Sequence, residues 1–231
     1  MSEERAVRGA DHMTTVAFDV IGTLFDLERP RAALSQVGLP TGSLELWFAQ
    51  SLRDAFALSH AGSYRPLADV LEAGLRRLVA STGVRASEEG LGSVMSAFSE
   101  LDPRPDAPGA CRRLANEGVR LLALTNGSER STRAMLRNAG ILDLFSDLLS
   151  CDRIRTSKPD PRVYQMAKAR ARGELWLVAA HAWDVAGATF AGLRTVWVSS
   201  VEATYLSAYP LPDVEADDLG QAAGAILDRH R

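Results

Sequence analysis

In the stretch Phe18-Asp19-Val20-Ile21-Gly22-Thr23, a carboxylate closes an apolar run and a Gly-Thr turn follows at once. This pattern reads as a strand that delivers Asp19 to an anion-binding loop. Taking such a carboxylate out of water is costly, so a cation or hydrogen-bond donors must meet it. Nucleophilic attack is the chemistry open to a carboxylate held that way. An Asp that only caps the following turn is the plainer alternative. Three more polar clusters follow in order: Thr125-Asn126 ahead of Gly127, Lys158 ahead of Pro159, and His181 with Asp184. Lys158 beside Asp19 would hold it ionised, and a second carboxylate at Asp184 would orient or deprotonate water.

These groups act together only if one scaffold gathers them. Apolar runs suited to buried parallel strands occur at Thr15–Val20, Val119–Leu124, Leu175–Ala180 and Thr195–Ser199, with a shorter one at Leu144–Ser150. Helical patterns at Glu129–Asn138, Pro161–Arg170 and Ala182–Ala191 alternate with them. That alternation predicts an α/β fold with a doubly wound parallel sheet, whose catalytic groups collect at the carboxyl ends of its strands. The interval from about Glu28 to Leu101 holds helical spacing at Leu44–Leu58, Leu67–Val79 and Leu91–Phe98 and no convincing strand, and Pro103, Pro105 and Pro108 mark its end. The expected division is therefore a tail at 1–13, a core made of 14–27 and 102–231, and a helical insertion at 28–101.

With 26 Lys+Arg against 29 Asp+Glu, the net charge is −3 and no basic block stands out, which argues against nucleic-acid or membrane-surface binding. No apolar run is long enough to span a bilayer, and Met1–His12 is polar and charged, unlike a secretory leader. Cys111 and Cys151 lack metal-ligand spacing and are expected to be reduced. A cytoplasmic protein with a loose N-terminal tail is the expectation.

On the segments Phe18–Asp26, Leu124–Ser128, Ser157–Tyr164 and Val178–Asp184, the chain resembles the haloacid dehalogenase superfamily of hydrolases, most closely its 2-haloacid dehalogenase branch. The resemblance implies a Rossmann-like core with an all-helical cap and a homodimer. It implies Asp19 as nucleophile, Thr23 and Asn126 as its hydrogen-bonding partners, Lys158 as the adjacent cation, and Asp184 as the acid of the last motif. Thr125 and His181 join the catalytic set, while Ile21, Trp47, Phe48 and Trp183 are the substrate-facing candidates. A small 2-haloacid would be cleaved through an aspartyl ester, with no cofactor and no metal.

Three departures from the family pattern carry information. Phosphatases of the superfamily place a second Asp two residues after the nucleophile, because an alkoxide leaving group needs a proton, whereas Ile21 stands here. Halide is a weak base and needs no acid. In the last motif His181 replaces an Asn, and Ala179 and Ala180 replace two Ser. In the first long cap helix, Leu46-Trp47 is followed by Phe48 where the dehalogenases carry an Arg, leaving Arg53 and Arg65 as stand-ins. Two rivals remain open: a phosphatase with Mg²⁺ held by Asp19, the Ile21 carbonyl and Asp184, and a binding protein that has lost turnover.

Overall fold

The computed structural model describes residues 13–230, so the expected tail lies outside the described residues except for Met13. Six strands form one parallel sheet: β1 (Thr14–Phe18), β2 (Arg120–Thr125), β3 (Phe145–Ser150), β4 (Glu174–Ala179), β5 (Arg194–Val198) and β6 (Val214–Ala216). Their order is β3-β2-β1-β4-β5-β6. The chain winds from β1 outward through β2 to β3, returns to β4 on the other side of β1, and winds outward again. The reversal opens a crevice beyond the carboxyl ends of β1 and β4.

Alternation along each inner strand explains why these segments read as continuous apolar runs. Val16, Phe18, Leu121, Ala123, Trp176 and Val178 face one side, while Ala17, Leu122, Leu124, Leu177 and Ala179 face the other. Both faces are covered, so neither set of positions can be polar. Helices α5 (Ala107–Asn116), α6 (Glu129–Asn138), α7 (Pro161–Lys168), α8 (Ala182–Phe190) and α9 (Leu219–His230) supply that cover. Two of them start where the sequence dictates: the Ser128 hydroxyl accepts from the Ser131 N–H at 3.1 Å, and Asp160 accepts from the Arg162 N–H at 2.9 Å with Pro161 at the first helical position.

Between β1 and α5 lie α1 (Glu28–Gln36), α2 (Ser43–His60), α3 (Leu67–Thr82) and α4 (Glu88–Ser99). Their apolar stripes meet in an interior that holds Trp47, Leu71, Leu75 and Phe98 and runs without a break into the Val16/Phe18 side of the sheet. Two threads join this helical layer to the sheet. At the crossover, Asp26 N–H donates to the Asp102 carbonyl at 3.0 Å, Arg104 N–H donates to the Leu24 carbonyl at 2.9 Å, and Phe25 pairs antiparallel with Pro103. Farther out, the Ser157 N–H donates to the Ser59 hydroxyl at 3.0 Å and the Tyr64 hydroxyl donates to Asp152 at 2.5 Å. The sequence reading passed over α1, α5, β6 and α9. Among the described residues no helix is long and apolar enough to cross a membrane.

Candidate active site

Asp19 follows β1 directly, and its N–H donates to the Val178 carbonyl of β4 at 3.0 Å, which fixes the carboxylate over the crevice. The chain then turns sharply. Gly22 has φ of 84°, and a Cβ built there would stand 2.6 Å from Cε1 of His181, so both backbone and space demand glycine. Thr23 donates from Oγ1 to Asp19 Oδ2 at 2.7 Å and accepts from the Ala180 N–H at 2.9 Å, tying the loop to the end of β4.

Beneath Asp19 lies a buried ionic centre. Lys158 Nζ donates to Asp19 Oδ1 at 3.0 Å and to Asp184 Oδ2 at 2.7 Å. The other Asp184 oxygen accepts from the Tyr164 hydroxyl at 2.7 Å. A glycine makes that phenol possible, because a Cβ on Gly187 would come within 2.5 Å of its oxygen. On the opposite side, His181 Nδ1 lies 3.3 Å from Asp19 Oδ2. Asp19, Lys158, Tyr164, His181 and Asp184 are all buried.

Burial opposes charge throughout this cluster, and the partners decide each outcome. Burial pushes Asp19 up, but the Lys158 ammonium, His181 and the Thr23 hydroxyl outweigh it and hold the carboxyl well below the ordinary carboxylate range. Lys158 is pushed down by burial and raised further by Asp184 and Asp19, so it stays an ammonium. Asp184 shifts the other way: burial and the Asp19 charge raise it against the pull of Lys158 and Tyr164. For His181 burial again lowers, but the contact with Asp19 and the charges of Asp19, Asp184 and Glu202 leave it raised. Asp19 is thus an ionised, oriented carboxylate with a fixed cation behind it.

The expected site residues separate into those gathered at Asp19 and those that are not. Thr23, Lys158 and His181 touch it, and Asp184 is joined to it through Lys158. Asn126, expected to bond Asp19, instead accepts at Oδ1 from the Lys158 N–H at 2.9 Å and from the Cys151 thiol at 3.1 Å, so it holds the backbone that carries the ammonium. Thr125 Oγ1 accepts from the Gly127 N–H at 2.9 Å and shapes that turn. Trp47, expected to face substrate, is fully buried with its indole N–H donating to the Leu71 carbonyl at 2.8 Å and its ring edge-on to Phe98, a packing position in the helical layer. Phe48 does approach the site, with its ring 6.0 Å from that of His181, and Trp183 stacks on the imidazole at 5.5 Å. Neither expected stand-in arginine enters: Arg53 is 62% exposed and paired with Asp54, and Arg65 is exposed.

Tyr164 is the member that sequence reasoning missed. Its signal was a Tyr one turn into the helix after Lys158-Pro159 together with a glycine in α8, but the two meet only when α7 packs on α8. Two clefts flank the Asp19 loop. One of about 270 Å³ is bordered by Gly22, Phe48, Arg104 and His181. The other, of about 160 Å³, is bordered by Ile21, Leu71, Met95, Phe98 and Gly127 and is mainly apolar.

Comparison with known proteins shows what the whole chain is similar to. The chain is 29% identical over 214 residues to an (S)-2-haloacid dehalogenase of Pseudomonas sp. strain YL, covering 90% of this chain and 92% of that one. It is likewise 29% identical to (S)-2-haloacid dehalogenase H-109 of Pseudomonas putida, covering 92% and 97%. A crystal structure of an L-2-haloacid dehalogenase superposes with a TM-score of 0.87 at 25% identity, covering 93% of this chain and 99% of that one. The L-2-haloacid dehalogenase of Xanthobacter autotrophicus with chloropropionic acid covalently bound shares the fold at a TM-score of 0.82 and 23% identity, covering 93% and 98%. The profile of the haloacid dehalogenase-like hydrolases matches residues 13–192, most of the sheet and all of the helical layer, and the chain belongs to that family.

Proposed function

We propose that the protein hydrolyses the carbon–halogen bond of a small (S)-2-haloacid through an ester on Asp19, with residues 28–101 acting as a cap over the crevice. One observation carries the reading: Asp19 is ionised above a fixed ammonium, and the residue two positions on is Ile21, which has no proton to give. A lone pair on an Asp19 oxygen forms the new bond to C2 from the face opposite the halogen, and the halide departs with the bonding electrons. Halide is a weak base, so the absence of an acid at Ile21 is no handicap for this leaving group, whereas an alkoxide would need one. The relatives named (S)-2-haloacid dehalogenases support the same substrate and configuration.

The second half follows from the charge change. While Asp19 is anionic it helps keep the His181 proton in place. Once it is a neutral ester that support is gone, His181 becomes a stronger acid, and its neutral form is available to accept a proton from water. Water then attacks the Asp19 carbonyl carbon and gives a proton to His181, the bond between that carbon and the substrate oxygen breaks as His181 returns the proton to the departing alkoxide, the 2-hydroxy acid leaves with inverted configuration, and the Asp19 carboxylate returns to Lys158 and Thr23. Lys158 stabilises the oxyanion that forms on the way. Tyr164 and Lys158 fix Asp184 near the same carbon, and Asn126 fixes Lys158.

Two features favour the dehalogenase over a magnesium-dependent phosphatase: Asp19 Oδ1 and Asp184 Oδ2 both bond Lys158 Nζ, and Ala180 stands where a further acid would be useful. The two buried unpaired thiols support the cytoplasmic part of the reading. The test is halide release from each enantiomer of 2-chloropropionate in EDTA, beside a panel of phosphate esters with Mg²⁺. Release from the S enantiomer that survives chelation is the expected result. Phosphate release without halide release would reverse the reading, and silence on both panels would favour the binding protein.

A further inference from the structure

Helix α8 begins without a side-chain cap of its own. His181 precedes its first turn, where a side chain would ordinarily accept from a free backbone N–H, but the imidazole makes no such bond and faces Asp19 instead. The Ala182 N–H is met from outside the helix: it donates to Glu202 Oε2 at 3.0 Å. Glu202 lies 20 residues farther on, in the irregular connection between β5 and β6. A carboxylate is favourable at a helix N-terminus, and this one leaves the His181 ring free for chemistry.

The connection that carries Glu202 is tied to the end of β4. Its Tyr205 packs edge-on to Trp197 at 5.2 Å and donates from the hydroxyl to the Pro210 carbonyl at 2.9 Å, while the Trp197 indole N–H donates at 3.3 Å to the carbonyl of Ala180, the residue before His181. Ser200 and Val201 border the cleft of about 270 Å³ beside His181, so the segment that meets the helix also walls the site. The charges around His181 are Asp19 from the loop after β1, Asp184 from α8, Lys158 behind both, and Glu202. Across the cleft stand Asp26, Arg104, and Arg31 bonded to Glu28 and Glu45. Once Asp19 is an ester its charge is gone, and Asp184 stays bonded to Lys158 and Tyr164. Glu202 is then the carboxylate acting on the imidazole that has no cation bonded to it among the described residues.

We propose that Glu202 is a positioning residue for ester hydrolysis: it takes over the capping of α8 so that the His181 ring can face Asp19, and it supplies the negative charge that stays beside that ring once Asp19 is esterified. The inference rests on His181 as the proton carrier of the reaction proposed above, and its test keeps the two apart. Proton NMR titration of D19N, whose neutral Asn stands in for the ester, follows the imidazole resonance of His181, assigned by its loss in D19N/H181N. D19N/E202Q keeps an acceptor for the Ala182 N–H but not the charge, so its His181 should titrate at lower pH. Equal titration in the two proteins would overturn the proposal. The second readout is hydroxy-acid formation in a single turnover, with enzyme in excess over (S)-2-chloropropionate, followed against pH. The rate should rise as His181 loses its proton, and in E202Q the rise should come at lower pH. On the acid side of the rise E202Q should therefore be about threefold to tenfold faster than the wild type. E202A, which also strips the Ala182 N–H of its acceptor, should show the displaced rise with a lower plateau. Loss of a merely structural contact would slow hydrolysis at every pH, so an E202Q profile lowered without displacement would overturn the proposal. A displaced titration in a protein that releases no halide would sink the reaction and leave Glu202 as the residue that caps α8 and acts on His181. Halide release with an undisplaced titration would do the reverse.

Discussion

The two walls of the crevice are built on opposite principles. The sheet wall is polar and fully engaged: Asp19, Lys158, Asp184 and Tyr164 form one buried chain of bonds between 2.7 and 3.0 Å, with Thr23 holding its Asp19 end and Asn126 the Lys158 backbone at its middle. The helical wall is aromatic, with Phe98 packed against Phe48 in front and the buried Trp47. Chemistry is concentrated where backbone position is over-determined by the sheet, and shape is left to side chains that can be exchanged. A change such as Phe48 therefore alters what enters without disturbing how Asp19 attacks. Buried ion pairs of this kind rarely add stability relative to apolar packing, so their presence here points to the reaction rather than to the fold.

The sharpest way to break this contrast is to remove the nucleophile. D19N should lower halide release by about 10⁴-fold or more while the protein stays folded, measured with a halide electrode beside a circular dichroism spectrum. Removing the cation strikes both reaction and fold. K158M leaves two carboxylates buried together and should cost about 3–5 kcal/mol in chemical denaturation. With Lys158 gone, Asp184, already raised by burial in the wild type, would titrate higher still, so its contribution to stability in this variant should grow as the pH falls.

Y164F leaves Asp184 short of one donor and should cost about 1–3 kcal/mol, with a loss in kcat that W47F, in the aromatic wall, does not share at similar cost in stability. His181 sets a pH signature. Its pKa is raised by Asp19, so the stability from their pairing is complete below the ordinary histidine value of about 6.5 and is lost as the pH rises through the folded value. The Asp19 side has the opposite sign, present above about 3.9 and lost as the pH falls. Thermal melts across that range should show the alkaline decline in wild type and a flatter one in H181N. R53A, on the exposed face of α2, should shift stability by no more than about 0.5 kcal/mol.

Much of the sheet wall was legible in the sequence because burial on both faces leaves long apolar runs with polar residues at their ends: β1, β2, β4 and β5 each end within two residues of the expected position. β6 was not, since three residues at an edge make no run. α9 carried a readable stripe of Leu219, Ala222, Ala223, Ile226 and Leu227 that simply passed unread. Asp19 and His181 could be named because each closely follows a strand end, whereas Lys158, well past β3, and Asp184, inside α8, took their roles from the motifs that carry the family resemblance. The partner of Asn126 could not, because whether its amide reaches Asp19 or the Lys158 backbone depends on the packing of two loops. Arg104 looked like part of a proline-rich connector. Its place beside the Asp19 loop follows from the pairing of Phe25 with Pro103, a contact between distant segments that no local pattern announces.

In the proposed reaction Asp19 itself attacks the substrate and water enters at the Asp19 carbonyl. A single turnover with enzyme in excess over (S)-2-chloropropionate, run in heavy-oxygen water, tests it directly by mass spectrometry of the peptide containing Asp19 and of the hydroxy acid. Heavy oxygen retained in that peptide, with an unlabelled hydroxyl in the first product, is the expected result. An unlabelled peptide with heavy oxygen in the product would mean that water attacks the substrate directly, and the account of Asp19 as nucleophile would fall.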